Sequence, residues 1–290
     1  MKKPAELYDR DDYYARDGRA SRLSPVLNGL LLALEWLRAL AVAARTDFLR
    51  RSGPRRLLDV GAGNGAFAHC MQRLGFQPFG TTASQVARQA ARDRYGIDLC
   101  YATEIPESLR GRRYELITYW HVFEHLEDPV AHVAAWHDLL ADDGVVVVEV
   151  PNVESLGARL SFSAWLGSDP KHHINPMSER ELRQLFAAHR LEVARREGFS
   201  LKFTYPFLWS GLLGACFGRA YDFDAVFATL KAPLRALREA PLRTANALAA
   251  ILYLAPAIVP LAAIGLVTGR GEVCRLYLRK ARGTPAPAGR

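Results

Sequence analysis

The string LLDVGAGNG, from Leu57 to Gly65, constrains this chain more than any other feature. An apolar run ends at Val60, and Gly61, Gly63 and Gly65 then remove side chains where backbone must approach a ligand. Helix-forming residues follow at once, so the string predicts a strand, a tight turn and a helix whose first N–H groups face a bound group. Two cofactor classes use such a turn. Gly61, Gly63 and Ala66 fit the dinucleotide pattern GxGxxG/A. That pattern also wants an acidic residue about 20 positions on, where this chain has Thr81 and Thr82.

Downstream of Pro54, short apolar runs alternate with helical segments. Strands are expected at 56–60, 77–82, 97–102, 114–120, 144–150, 191–197 and 272–280, and the alternation indicates an α/β, doubly wound, mostly parallel sheet. The run Val145 to Val148 reads as a central strand buried on both faces. A leading helix is expected at 26–44, apolar around most of its girth and interrupted by Glu35 and Arg38. Ser178 and Glu181 have the spacing of a capping box, which opens a helix running to about His189.

Between the last two strands lies an apolar insertion. Its first part, 203–218, reads FTYPFLWSGLLGACFG; its second, 245–267, carries no charge and is long enough to cross a bilayer. Pro256 and Pro260 argue against a straight helix there. A single crossing would strand the final strand on the wrong side of the membrane. Two crossings, a re-entrant hairpin, helices lying in the interface, or a lid buried on the core all avoid that conflict. Arg235, Arg238 and Arg243 precede the apolar run and suit anionic lipid. The expected organisation is a cap segment and helix at 1–53, a cofactor-binding core at 54–200, the insertion at 201–270, the last core strand at 271–282 and a tail at 283–290.

The net charge of +8, from 38 Lys and Arg against 30 Asp and Glu, favours anionic partners without choosing among them. The insertion makes a membrane surface or bilayer, met through 203–267, the expected partner; no nucleic acid is expected. Cys70, Cys100, Cys216 and Cys274 form no CxxC pair, which argues against a zinc or redox motif. Met1 to Gly18 lacks the apolar run of a secretory signal. The expected location is the cytoplasmic side of the membrane, or the cytoplasm if the insertion is a buried lid.

YWHVFEHLEDP, Tyr119 to Pro129, follows the fourth strand, whose end should border the ligand crevice. His121, Glu124 and His125 also spell HxxEH, the inverted zinc-hydrolase motif. That motif needs a helix with both histidines on one face, whereas this string leaves a strand directly, so no metal ligands are assigned and only a weaker divalent-metal role stays open. Farther on, DPKHHINPMS places His172 and His173 in a loop. A neutral imidazole there has a pKa suited to taking a hydroxyl proton.

Asp59, two residues before Gly61, completes a string that resembles the first motif of class I S-adenosylmethionine-dependent methyltransferases. HVFEHLEDP resembles the HVxEHxxDP segment of their small-molecule group, including those of ubiquinone biosynthesis. The resemblance runs from about Tyr14 to Lys280 and implies a seven-stranded Rossmann-like sheet with S-adenosyl-L-methionine as cofactor. It implies that Asp59 holds the methionine ammonium while Gly61, Ala62, Gly63 and Gly65 admit the methionine and ribose. Thr82 stands where the family has an acid, followed by Ser84, as in cyclopropane fatty acid synthases. Glu104 and Ile105 would meet the adenine, His121 the methionine end, and Tyr14 the cofactor carboxylate.

By the same resemblance Glu124 and His125 stand at the acceptor entrance, and His173 lies in the loop that covers it. The expected reaction is O-methylation of a hydrophobic or lipid-linked small molecule at the membrane surface, with His125, His173 and Glu124 as catalytic residues. The alternatives are carbon methylation or cyclopropanation of a lipid chain, a noncatalytic membrane scaffold of this fold, and a dehydrogenase.

Overall fold

The computed structural model describes residues 25–48, 53, 55–169, 173–217 and 241–281. Tyr14, His172, Arg235 and Arg238 lie outside the described residues. Seven strands form one sheet: β1 (Arg56–Val60), β2 (Gln77–Thr82), β3 (Cys100–Tyr101), β4 (Tyr114–Trp120), β5 (Leu140–Pro151), β6 (Leu191–Glu197) and β7 (Val273–Lys280). Their order is β3-β2-β1-β4-β5-β7-β6. Strands β1 to β5 run parallel, and β7 enters antiparallel between β5 and β6. This is the expected doubly wound, mostly parallel sheet, with one antiparallel strand.

The helices are α1 (Pro25–Arg45), α2 (Ala66–Arg73), α3 (Gln85–Tyr95), α4 (Glu107–Arg110), α5 (Pro129–Leu139), α6 (Leu156–Ser161), α7 (Glu179–Ala188), α8 (Thr204–Phe217) and α9 (Pro241–Val267). Val145 and Val147 face a cluster with Ala39 and Val42 of α1, while Val146 and Val148 face Trp136 of α5 and Phe186 of α7. Period-two alternation thus turns an unbroken valine run into two buried faces. Ser178 caps α7 with the full reciprocal capping box. The third strand is shorter than expected, because Ile97 and Leu99 are buried against Ala68 and Ala91 rather than paired in the sheet.

Strand register decides what α1 covers. Asp59, Thr118, Val147 and Tyr277 are successive cross-strand partners, and so are Trp120, Glu149, Arg275 and Glu197. The second row is polar, lies at the carboxyl end of β4 and β5, and sits under Glu35 and Arg38 of α1.

The insertion leaves the sheet after β6 and returns to it at β7. Its two stems touch: a Cβ on Gly271 would fall 2.2 Å from the Gly198 carbonyl oxygen. Helix α8 packs on α6 backbone to backbone, since a Cβ on Gly211 would meet the Gly157 oxygen at 2.2 Å. Helix α9 presents Ile258 and Ala262, four residues apart, to Leu208 of α8. It stays helical through Pro256 and Pro260, and both prolines fall on its exposed face. Among the described residues no helix is long and apolar enough to cross a membrane.

Candidate functional site

The turn after β1 is pinned by β2: Ala62 N–H donates to the Thr81 carbonyl at 2.8 Å and Gly61 N–H to Thr81 Oγ1 at 3.2 Å. Gly61, Gly63 and Gly65 have φ of 70°, 54° and 75°, a region that costs side chains strain. Their surroundings differ. A Cβ on Gly61 would lie 2.4 Å from Val122 Cγ2 and one on Gly65 2.9 Å from Ala91 Cβ, whereas one on Gly63 meets nothing within 4 Å among the described residues. Gly61 and Gly65 therefore serve packing, and Gly63 borders open space.

That space is a cleft of about 500 Å³, within the range of roughly 300–1,000 Å³ typical of small-molecule sites. Asp59, Gly61, Ala62, Gly63 and Glu104 line one end. Asp59 is 1% exposed. Thr118 Oγ1 donates to its Oδ1 at 2.7 Å, and its Oδ2 has no hydrogen-bond partner among the described residues. Burial pushes the Asp59 carboxyl up to about 7 against the opposing pull of that hydrogen bond. An orphaned carboxylate oxygen facing a side-chain-free turn fits a cofactor bearing an ammonium group. Glu104 remains on the rim, with Oε2 2.8 Å from His132 Nε2.

Four expected cofactor contacts fall elsewhere. Thr81 and Ala83 line the cleft, while Thr82 is buried and does not line it, and Ser84 accepts from Ala87 N–H as the cap of α3. Ile105 is buried in the core with Leu109 and Tyr114, and Gly65 sits beneath the turn against α3.

At the other end, β4 turns sharply at His121, a residue with φ of 54°. Such strain in a non-glycine residue persists only where the surroundings fix it. His121 Nε2 lies 3.1 Å from Glu149 Oε1 and its Nδ1 3.4 Å from Glu124 Oε1, while its ring centroid is 3.8 Å from that of Phe203. Burial would lower the His121 pKa, but the two carboxylates outweigh it and raise it. Glu149 is fully buried and accepts from Arg275 Nε at 2.7 Å and from Arg275 Nη2. Despite burial, Arg275, His121 and Arg38 hold Glu149 well below the usual carboxylate range.

Glu124 and His125 lie on a 3₁₀ turn, Phe123–His125, and His173 comes to them from the loop before α7. His173 Nδ1 sits 2.9 Å from the Gly167 carbonyl, to which it donates, leaving Nε2 as an acceptor 4.0 Å from Glu124 Oε1. Burial lowers the His173 pKa, so the ring is neutral at physiological pH. Burial would raise the Glu124 carboxyl, but His121 outweighs it and holds Glu124 below its ordinary value. One ligand atom from each of Glu124, His125 and His173 lies within 4.8 Å of the others, close enough to share a cation.

Sequence reasoning did not assign the rest of this end: Glu35, Arg38, Trp120, Lys202, Phe203 and Phe207 all line the cleft. Arg38 pairs with Glu35 at 3.1 Å and lies 4.7 Å over Trp120; Lys202 reaches Glu35 at 3.0 Å. The available signals were Glu35 and Arg38 interrupting an apolar helix, and Glu149 as the charge within VVVVEVP.

Comparison with known proteins bears on both ends. Residues 33–195 match the family described as a methyltransferase domain. A ubiquinone biosynthesis O-methyltransferase of Ruegeria pomeroyi is 29% identical over 156 residues, 50% of this chain and 62% of that protein. Another, from Cereibacter sphaeroides, is 27% identical over 172 residues, 55% of this chain and 68% of its own. The chain thus spans about two thirds or less of the length of these two curated relatives. The crystal structure of a SAM-dependent methyltransferase from Archaeoglobus fulgidus shares the fold at TM-score 0.52 and 16% identity, covering 93% of this chain and 100% of that one.

Proposed function

We propose that this chain, which belongs to the methyltransferase domain family, is an S-adenosylmethionine-dependent O-methyltransferase of a hydrophobic or lipid-linked small molecule, taken at the cytoplasmic side of a membrane. The observation that carries the reading is the approach of two acceptors, His173 Nε2 and Glu124, in the same cleft that Asp59 and its orphaned oxygen line. The printed names of the curated relatives support an oxygen acceptor.

S-adenosylmethionine supplies the methyl group as a substituent of a sulfonium. Asp59 Oδ2 receives the ammonium, and the backbone at Gly61 to Gly63 admits the methionine and ribose without side-chain obstruction. Arg38, whose charge acts on Asp59 and which also lines the cleft, offers a cation for the methionine carboxylate. Trp120, Phe203 and Phe207 give the acceptor an aromatic wall and exclude water from it.

His173 Nε2 takes the hydroxyl proton of the acceptor as the oxygen is alkylated, and the adjacent Glu124 carboxylate stabilises the resulting imidazolium. Glu149 and Arg275 fix His121, which in turn orients Glu124. Because displacement is in line, holding the acceptor oxygen within about 3–3.5 Å supplies much of the rate.

The test combines calorimetry with a methyl-transfer assay on membrane lipid extract using labelled cofactor. S-adenosylmethionine should bind where NADH does not, and label should enter an apolar product. His173→Ala should lower kcat by about 10²–10⁴ with cofactor affinity unchanged. Folded protein that does not bind the cofactor would overturn the reading, and an unaltered kcat in the variant would remove His173 as the base.

A further inference from the structure

We infer that the outer face of α9, with the apolar rim of the cleft, is a docking surface for an anionic phospholipid bilayer, seating the cleft mouth against the lipid; this rests on the proposed hydrophobic acceptor. The first support is the face itself. A surface helix ordinarily turns charged residues to water. Helix α9 buries Ile258 and Ala262 on α8, yet its outward positions are Val259 (64% exposed), Ile264 (50%) and Val267 (88%). From Leu254 to Val267 the sequence contains no polar side chain. Contiguous apolar exposure of this kind marks an interaction surface.

The second support is exposed apolar side chains at the cleft itself. Leu31 lines the cleft and is itself exposed. Exposed Leu201 precedes the cleft-lining Lys202, and exposed Ile174 follows the cleft-lining His173. Lipid met at these residues would offer an apolar acceptor a route toward Phe203 and Phe207.

Charge and topology select a bilayer as occupant. No acidic residue occurs between Glu239 and Glu272, Arg243 and Arg270 bracket the apolar run, and the whole chain carries +8. Basic residues flanking an apolar face suit anionic headgroups. The touching stems at Gly198 and Gly271 return the chain to the same sheet, so both ends of the insertion stay on one side of the lipid. The surface therefore docks on one leaflet.

The full chain should pellet with vesicles of phosphatidylcholine containing phosphatidylglycerol, and far less with phosphatidylcholine alone. The double variant Val259→Asp, Ile264→Asp should lose at least about tenfold in bound fraction while binding S-adenosylmethionine as before, which also certifies its fold. Independently, Val267→Trp should shift its emission to the blue when vesicles are added. A cofactor-binding protein that neither pellets nor shifts would overturn the docking surface and leave the methyltransferase reading intact. Loss of a concentration-dependent dimer by the same double variant, without vesicle binding by the parent, would overturn it in favour of a second copy. Vesicle binding by a protein that takes no cofactor would uphold the surface and sink the enzymatic proposal.

Discussion

At the proposed cofactor end of the cleft the contacts centre on one stretch, Asp59 to Phe67, joined by Thr81, Ala83, 94–95 and 102–104. At the proposed acceptor end they come from 28–38, 120–127, Leu166, Asp169, His173 and 202–207. The first end works through backbone: a strand, a left-handed turn and one carboxylate. The second works through side chains whose position depends on sheet register and on α1 and α8 arriving from opposite ends of the chain. A backbone site is specified locally and resists substitution around it. A side-chain site draws on the whole fold, and its buried charges tie stability to function.

The largest effect should come from the acceptor end. Glu149→Gln removes one of the two carboxylates paired with Arg275, and the anchor of His121, in a fully buried position, and breaking a buried pair costs up to about 3–5 kcal/mol. Denaturant unfolding should show that loss. Replacing the pair together, Glu149→Leu with Arg275→Met, should recover much of the stability, since desolvation then disappears with the charges. Activity should not return with it, because His121 then loses its anchor. Recovery of both would break the comparison.

The next effect belongs to the cofactor end and should leave stability almost untouched. Gly63 has open space beyond it and φ of 54°, which Asp tolerates better than most residues. Gly63→Asp should fold normally yet weaken S-adenosylmethionine binding at least about 100-fold, or about 2.7 kcal/mol, read by calorimetry. Gly61→Ala should do the reverse, disturbing the fold through its 2.4 Å approach to Val122. Equal behaviour of the two would mean that the turn is not divided between packing and binding.

The same contrast explains what the sequence made legible. Strands 56–60, 77–82, 114–120 and 191–197 follow directly from their apolar runs and turns. The cofactor string could be read because its residues are neighbours in the chain. Its departures from the structure lie in side-chain direction. Thr81 rather than Thr82 lines the cleft, since adjacent residues of extended chain point to opposite sides, while beyond the end of β3 the expected Glu104 lines it and Ile105 packs in the core. A motif locates a position along a strand but not its parity. Lys202 and Phe203 were invisible because nothing in their local sequence says that α8 returns to α1, and Glu149 needed the register to acquire partners.

The smallest effect separates the two ends by proton count. Burial raises the Asp59 carboxyl from its ordinary value to about 7. A folded pKa above the unfolded one means that the native state binds the extra proton, so this contribution to stability is full below about pH 4 and fades as pH rises through about 7. Asp59→Asn should therefore flatten the stability profile of the free protein across that window. An ammonium group placed at Oδ2 reverses the preference and ionises the carboxyl. Binding of S-adenosylmethionine near pH 6 should then release a fraction of one proton, visible as a binding enthalpy that depends on the ionisation heat of the buffer. The Asn variant should release less, whereas Glu149→Gln, at the other end, should leave the count unchanged. A release that survives in Asp59→Asn would assign the titrating group to the histidine cluster and dissolve the electrostatic separation of the two ends.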